Sequence, residues 1–300
     1  MPEFAINHQN SSRQSSYRGL ASVGSHVVLV SPLRSSLGLS GTHDHLAVVD
    51  IRHPDAVEST LAKIVGEGDL PVVTCAEPDA EAVRRLLTFA AVRYPGFQAC
   101  LEPLPGSPLA VGVISSLVDD LDGGPDDTLA WQLSALDYFR AQVWSAVWLP
   151  SVASLTFPSP SIVNHVRSWF PGSGFLAGYG KSGSVISAAK PPLRGVHPLP
   201  DTALLHSQLA RPTWVVDAVT SALGPRSVSE VATVREQVDS FGTDAAVEFA
   251  AVPISFHSDT RPAPEAIVEC MGCGVHHARA SCPVCKMTAP HPAFSQGVLS

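Results

Sequence analysis

The chain has 300 residues, 45% of them hydrophobic and 15% charged, with a formal net charge of −8. That apolar content suffices for one large or two modest cores and is too high for a chain disordered throughout. The 19 cations comprise four Lys and fifteen Arg, and the acid excess disfavours a general polyanion binder, whose affinity comes from clustered cations on phosphates.

Residues 1–22 are polar and serine-rich, with no apolar run behind a basic start. They read as a disordered tail and not as a secretory signal. Residues 23–122 read as an α/β domain. Short runs rich in β-branched or aromatic residues predict strands at 26–30, 46–51, 71–75 and 97–102. Between or after them, Asp55 can cap a helix over 56–65. Pro78 can open one over 78–93, stopped by Pro95, and Ser107 with Pro108 can open one over 108–121. Such alternation predicts a three-layer domain with a mainly parallel sheet.

Two constellations in this region invite chemistry. His43, Asp44 and His45, with Asp50 and His53 close by, resemble in part the HxHxDH pattern of metallo-hydrolases. Ala47 and Val48 stand where its second Asp-His pair belongs, so ordinary loop histidines are expected. Asp50 and Thr74, near the ends of two strands, are similar to the phosphoacceptor and hydroxyl of a receiver domain. Ser31 and Pro32 replace the acidic pair that would hold magnesium, and no lysine ends the strand at 97–102. Asp50 is nonetheless well placed, because ligands of open α/β sheets bind at the carboxyl edge of the strands.

GGPDD at 123–127 reads as a hinge. Its acidic neighbourhood, Asp119, Asp120, Asp122, Asp126 and Asp127, lacks the terminal glutamate of a calcium loop and suits a solvated turn. Residues 128–260 read as a helix-rich α+β region. Leu129, Leu133, Leu136, Val143, Trp144 and Val147 fall on or near one stripe, predicting a helix that ends at Pro150. Asp137, Arg140 and Pro150 interrupt the stretch from Trp131 to Phe157, so it is no membrane span. Ser161–Phe170 predicts a further helix, and 174–179 and 184–188 predict brief strands. The segment 172–184, GSGFLAGYGKSGS, resembles a phosphate loop in which Lys181 would meet phosphate and Ser182 magnesium. Its glycine spacing is one residue too long, Phe175 stands where glycine is needed, and Pro191 and Pro192 break the helix that should follow. An ordinary glycine-rich loop is expected.

Thr213–Leu223 predicts a helix ending at Gly224-Pro225. Ser227 and Glu230 form a capping box for another, whose Val231, Val234, Val238 and Phe241 share a face. Glu230, Glu236 and Asp239 against Arg235 alone would repel phosphates, so the pair does not read as a DNA-binding motif. A strand over 246–256 leads through TRPAPEA to residues 261–290, and 291–300 read as a disordered tail.

Within 261–290 lies the strongest chemical signal. Cys270, Cys273, Cys282 and Cys285 form two CxxC pairs, and two such pairs supply four thiolates for one tetrahedral ion. Ligand type and spacing favour zinc over an iron–sulfur cluster or redox disulfides, which use similar pairs. Four thiolates close the coordination sphere, which points to a structural and not a catalytic ion. His276 and His277 between the pairs can replace a cysteine, though solvent-facing hairpin positions are expected. CMGCG and CPVC resemble the short zinc-ribbon family over about residues 268–287. The resemblance implies a structural zinc module used for docking or for holding a tail folded; Lys286, where a second glycine is common, puts the symmetry of the two turns in question. Cys75 and Cys100 are isolated thiols in apolar runs, which argues for a reducing compartment and a cytoplasmic protein. Arg over Lys with abundant alanine suggests a high-GC bacterial source.

These readings combine into an intracellular zinc-binding protein. The expectation is a non-catalytic interaction or regulatory factor whose zinc ribbon docks a protein partner. From Arg261 onward the chain has three basic and two acidic side chains, and a zinc with four thiolates adds about −2, so a protein is favoured over nucleic acid, with no membrane. The alternative is an α/β enzyme or nucleotide-binding protein with its site at the sheet edge of the first domain, using Asp50, Thr74 and Lys181. Whether a reaction is catalysed, and which small molecule is bound, stay open.

Overall fold

The computed structural model describes residues 27–30, 47–49, 55, 57–60, 62, 70–119, 128–179, 183–207, 212–231, 241, 243, 245–254, 262–263 and 266–288. The expected terminal tails, His43–His45, Asp50, His53, the hinge at 123–127, Lys181 and Ser182 lie outside them.

Two sheets organise the chain. Strands β1 (Val27–Val30), β2 (Ala47–Val49), β3 (Val72–Ala76) and β4 (Cys100–Leu104) pair in parallel in the order β2-β1-β3-β4. Val72, Val73 and Cys75 of β3 are fully buried, as expected of a strand covered on both faces. Helix α1 (Ala80–Arg93) follows a 3-10 turn whose Glu77 and Asp79 favour its N-terminus, and it seats Val83 and Ala90 against Val73, Cys75 and Phe97. Helix α2 (Pro108–Asp119) starts at proline and has no charge before its final residue. It is therefore apolar nearly all round, and it lies between the two sheets, touching β1, β3 and β10. Helix α3 (Thr128–Gln142) packs Leu133, Leu136 and Phe139 into the core formed with β4 and α2.

The second sheet is mixed. Strands β5 (Trp144–Leu149), β6 (Phe175–Tyr179), β7 (Ser184–Ser187), β8 (Thr202–Ser207), β9 (Ser227–Val231) and β10 (Val247–Pro253) lie in the order β7-β6-β5-β10-β8-β9, antiparallel except for β8 and β9. Short helices α4 (Ile162–Arg167) and α5 (Trp214–Leu223) complete this part. Alternation divides the sheet's two faces. Phe249 and Ala251 of β10 pack with Leu204 and with Val215, Val219 and Leu223 of α5, whereas Ala250 and Val252 pack with Leu109, Ala110 and Val113 of α2.

The structure is a mixed α/β fold, and it corrects the helix-rich reading of 128–260, since a six-stranded sheet dominates that region. The predicted long helix stops at Gln142, and 144–149 is a central strand. An apolar run buried on both faces shows no period that separates strand from helix. Ser227–Val231 is an edge strand parallel to β8, so tertiary pairing overrides its capping-box pattern. Strand β8 itself was not anticipated from TALLHS. Last comes a two-stranded hairpin, β11 (Val268–Glu269) with β12 (His276–His277), inside the cysteine-rich segment. Among the described residues no helix is long and apolar enough to cross a membrane.

Candidate functional site

Where α2 meets the second sheet, an apolar layer encloses a polar cluster. Ser107 precedes the first residue of α2, and its Oγ accepts from the Ala110 N–H (3.4 Å), the geometry of an N-cap. The Ser107 N–H donates to Ser145 Oγ of β5 (3.1 Å), and the Ser145 hydroxyl donates back to Ser107 Oγ (3.3 Å). From β10, Glu248 brings its carboxyl to the same helix end: the Leu109 N–H donates to Oε1 (3.1 Å), while the Glu248 N–H donates to Ser207 Oγ of β8 (2.9 Å). Glu248 is fully buried, and its Oε2 has no hydrogen-bond partner among the described residues. Burial pushes its carboxyl up to about 7, although the Leu109 amide and the Ser107 hydroxyl pull the other way. The acid thus changes charge near neutral pH inside a layer of Ala250, Val252, Leu205 and Val113 on one side and Val147, Phe175 and Tyr179 on the other. Burial and the nearby Glu248 raise the Tyr179 hydroxyl as well.

Sequence reading missed this cluster. One signal was present: Glu248 is the only charge in the run AVEFAAV, and an acid in a strand apolar on both faces is costly unless something holds it. Thr74, assigned to a site at the sheet edge, is instead mid-strand and fully buried. Its Oγ1 lies 2.6 Å from Ser115 Oγ, which donates to the Val111 carbonyl (2.8 Å), so Thr74 fastens α2 to β3.

The second constellation is the cysteine cluster. All four sulfurs of Cys270, Cys273, Cys282 and Cys285 lie within 4.8 Å of one another and can hold a metal ion. Cys270 to Cys285 is 3.4 Å and Cys273 to Cys282 is 3.5 Å. Four sulfurs set tetrahedrally about 2.3 Å from one ion are about 3.8 Å apart, so the cluster fits a single ion with little movement. The two turns are built alike. Gly274 N–H donates to the Cys270 carbonyl (2.8 Å), and Lys286 N–H donates to the Cys282 carbonyl (3.0 Å). Gly274 has φ 73° and Lys286 φ 63°, so the lysine adopts the left-handed conformation that glycine takes cheaply, and the doubt about symmetry is removed. Backbone amides of Gly272 and Cys273 lower the Cys270 thiol to about 6, whereas burial raises that of Cys273 to about 12. His276 is exposed as expected, but His277 is fully buried.

This segment is fastened to the body by charge. Arg279 donates to both Glu102 and Asp137, with Nη2 at 3.3 Å from Glu102 Oε2 and 2.9 Å from Asp137 Oδ1. Arg140 donates to Glu102 Oε2 from the other side (2.9 Å). Burial alone would raise the Glu102 carboxyl, yet the guanidiniums of Arg279 and Arg140 hold it below its usual range. Val284 adds an apolar contact to the core of β4, α2 and α3. Cys75 and Cys100 are buried free thiols, and burial raises both.

No family model and no curated protein matches the chain. Among solved structures it is similar to the DegV family protein Cg2579 from Corynebacterium glutamicum, with a TM-score of 0.56 and 12% identity over 79% of this chain and 100% of that one. A fatty-acid-binding DegV family protein from Thermus thermophilus gives 0.53 and 12% over 76% and 99%. Protein TM841 from Thermotoga maritima, also a fatty-acid binder, gives 0.54 and 7% over 77% and 100%. These findings overturn the reading of a zinc-dependent interaction or regulatory factor with a protein partner, because the likeness spans over three-quarters of the chain and leads to proteins that take a small lipid ligand. The alternative of an enzyme or nucleotide-binding protein finds no match there either, and its residue Thr74 is structural. At these identities the likeness extends to the fold, and the chain has the architecture seen in the DegV family structures.

Proposed function

We propose that the protein binds a long-chain fatty acid between α2 and the six-stranded sheet. The carboxyl end lies at the Ser107–Ser145–Glu248 cluster and the acyl chain along the apolar face. The observation that carries this reading is the buried Glu248 carboxyl at the start of α2, its Oε2 unpartnered among the described residues, within an otherwise apolar layer. A helix N-terminus favours a negative charge, and the Ser107 hydroxyl, which accepts the Ser145 proton, can turn its own proton to a carboxylate. Glu248 in its neutral form donates from Oε2 to the ligand carboxylate while Oε1 keeps the Leu109 amide, so two acids share one proton. The apolar side chains along α2, β8 and β10 supply the acyl contacts, each buried methylene contributing about 0.8 kcal/mol. The DegV proteins of known ligand support the ligand class.

The cysteine cluster belongs to the same proposal as a structural centre: Cys270, Cys273, Cys282 and Cys285 bind one zinc, which holds the C-terminal zinc ribbon folded against β4 and α3. Four thiolates leave no open position, so the ion takes no part in lipid chemistry. Two measurements test the reading. Protein purified under native conditions is extracted and its lipids identified by mass spectrometry, and delipidated protein is titrated with oleate in a thermal-shift assay. Saturation at a hundredfold excess over Kd stabilises by about 2.7 kcal/mol. No extractable fatty acid together with no shift by oleate refutes lipid binding. Elemental analysis is expected to give about one zinc per chain, and iron or no metal refutes the centre.

A further inference from the structure

Helix α4 and the turns after it are built inside out. Ile162, Val163, Val166, Trp169 and Phe170 recur at the spacing of one helical stripe, the pattern that normally faces a core. Here the stripe faces solvent: Ile162 is 83% exposed, Trp169 77% and Phe170 63%. The buried position belongs instead to a polar residue, Asn164, whose Nδ2 donates to the Val185 carbonyl of β7 (3.1 Å) and pins the helix beside that edge strand. Ser161 caps the start by accepting from the Asn164 N–H (3.2 Å), so the helix is held in place while its apolar side is presented. A contiguous exposed patch ending in Trp and Phe marks a contact surface, because leaving that area in water is unfavourable.

Charge decides what covers it. Residues 141–200 contain no Asp or Glu and four cations, Arg167, Lys181, Lys190 and Arg194, in a chain with net charge −8. Arg167 is exposed on α4, and Lys190 and Arg194 are exposed in the segment that follows the edge strand β7. An acidic protein thus keeps the stretch of sequence that contains this apolar, aromatic-tipped helix free of acids and positively charged. A second copy of so acidic a chain gains little from that arrangement, whereas an anionic lipid surface gains twice: headgroups attract the cations, and Trp and Phe settle at the water–hydrocarbon boundary.

We infer that α4 with Trp169 and Phe170 is a peripheral docking surface for an anionic membrane. Such docking needs no spanning segment, so it is compatible with the absence of a span among the described helices. It rests on α4 and the cationic stretch around it in sequence and stands apart from the lipid ligand proposed above.

Flotation of the full chain with vesicles tests it, using phosphatidylcholine alone and phosphatidylcholine with about one-quarter phosphatidylglycerol. Binding is expected to the anionic vesicles and not to the neutral ones, and to weaken severalfold in 0.5 M salt. Combined Trp169→Ser and Phe170→Ser is expected to reduce binding about tenfold or more with an unchanged melting temperature, since both side chains are exposed. Arg167→Glu, which leaves the apolar patch intact, is expected to weaken anionic-vesicle binding severalfold. Three results would overturn the inference: no binding of the wild-type chain to anionic vesicles; equal binding by the double variant; or sedimentation showing a dimer that the double variant disperses, with neither protein binding vesicles. The last assigns the patch to a second copy.

Discussion

Glu248→Gln gives the sharpest test of the buried cluster. Raising the carboxyl from the ordinary 4.5 to about 7 corresponds to a folded-state penalty of about 3 kcal/mol once the group is ionised. The sign follows from linkage: between those values the folded protein holds a proton that the unfolded chain has released, so stability falls as pH rises. The penalty is absent below about pH 4.5 and complete above about pH 7. Roughly 2 kcal/mol of it develops between pH 5.5 and 8.5. Glutamine keeps an acceptor for the Leu109 N–H but never ionises, and its amide N–H at the Oε2 position costs about 1–2 kcal/mol if left unpaired. Urea unfolding of both proteins across that range is expected to show Glu248→Gln close to or below wild type at pH 5.5. At pH 8.5 it is expected to be more stable by about 1–2 kcal/mol. Other titrating groups cancel in the difference. A difference constant to within about 0.5 kcal/mol across the range refutes the claim that Glu248 is a strained acid, and with it the proton-sharing geometry for a ligand.

Three further outcomes follow from the geometry. Oleate affinity is expected to fall as pH rises above about 7, approaching tenfold per unit, because ionised Glu248 repels the ligand carboxylate; calorimetric titration at pH 6.5 and 8.5 checks this, and unchanged affinity places the head group elsewhere. Arg279→Ala removes one of the two cations on buried Glu102 and is expected to cost about 2 kcal/mol in urea unfolding. By contrast, Arg226→Ala, which breaks the exposed Arg226–Asp201 pair, should cost less than about 1 kcal/mol, and equal effects refute the fastening role of Arg279. Lys286→Gly relieves a left-handed lysine worth about 1 kcal/mol but loosens the unfolded chain. The net expectation is a gain of about 0.5 kcal/mol, seen as slower loss of zinc to a chromophoric chelator, and a loss above about 1 kcal/mol refutes the matched-turn account.

Local chemistry was legible and long-range pairing was not. The sulfurs of two CxxC pairs come together because each pair is a single turn, so Cys270 to Cys285 could be placed from spacing alone. Helix α1 was legible from Pro78 and Pro95, and α5 from Gly224, whose φ of 62° ends the helix by a left-handed turn. Failures arose where one pattern serves two structures. WSAVWL continues the apolar stripe of α3, and only its place between β6 and β10 makes it a strand. SVSEV satisfies a capping box, but the open edge beside β8 offers its backbone a full ladder of partners.

The buried cluster lies beyond local reading for a stronger reason. Glu248 and the Leu109 amide are 139 positions apart, and Ser107 and Ser145 are 38 apart. Apart from Glu248, no member is chemically notable by itself: Ser107 is an ordinary helix cap, and Ser145 and Ser207 are small polar residues in strands. The cluster exists only because α2 is apolar enough to be covered on both sides, so that its N-terminal amides are withheld from water and must be answered from within. One answer comes from Glu248, and it satisfies a single oxygen. A core selected for stability alone would favour a neutral acceptor there, since glutamine or a serine hydroxyl would meet the same amide without the ionisation penalty. An acid whose second oxygen is unpartnered among the described residues is therefore better explained by a second, intermittent partner than by packing, and the proposed carboxyl-bearing lipid has both the polar end and the apolar body that this layer can accept.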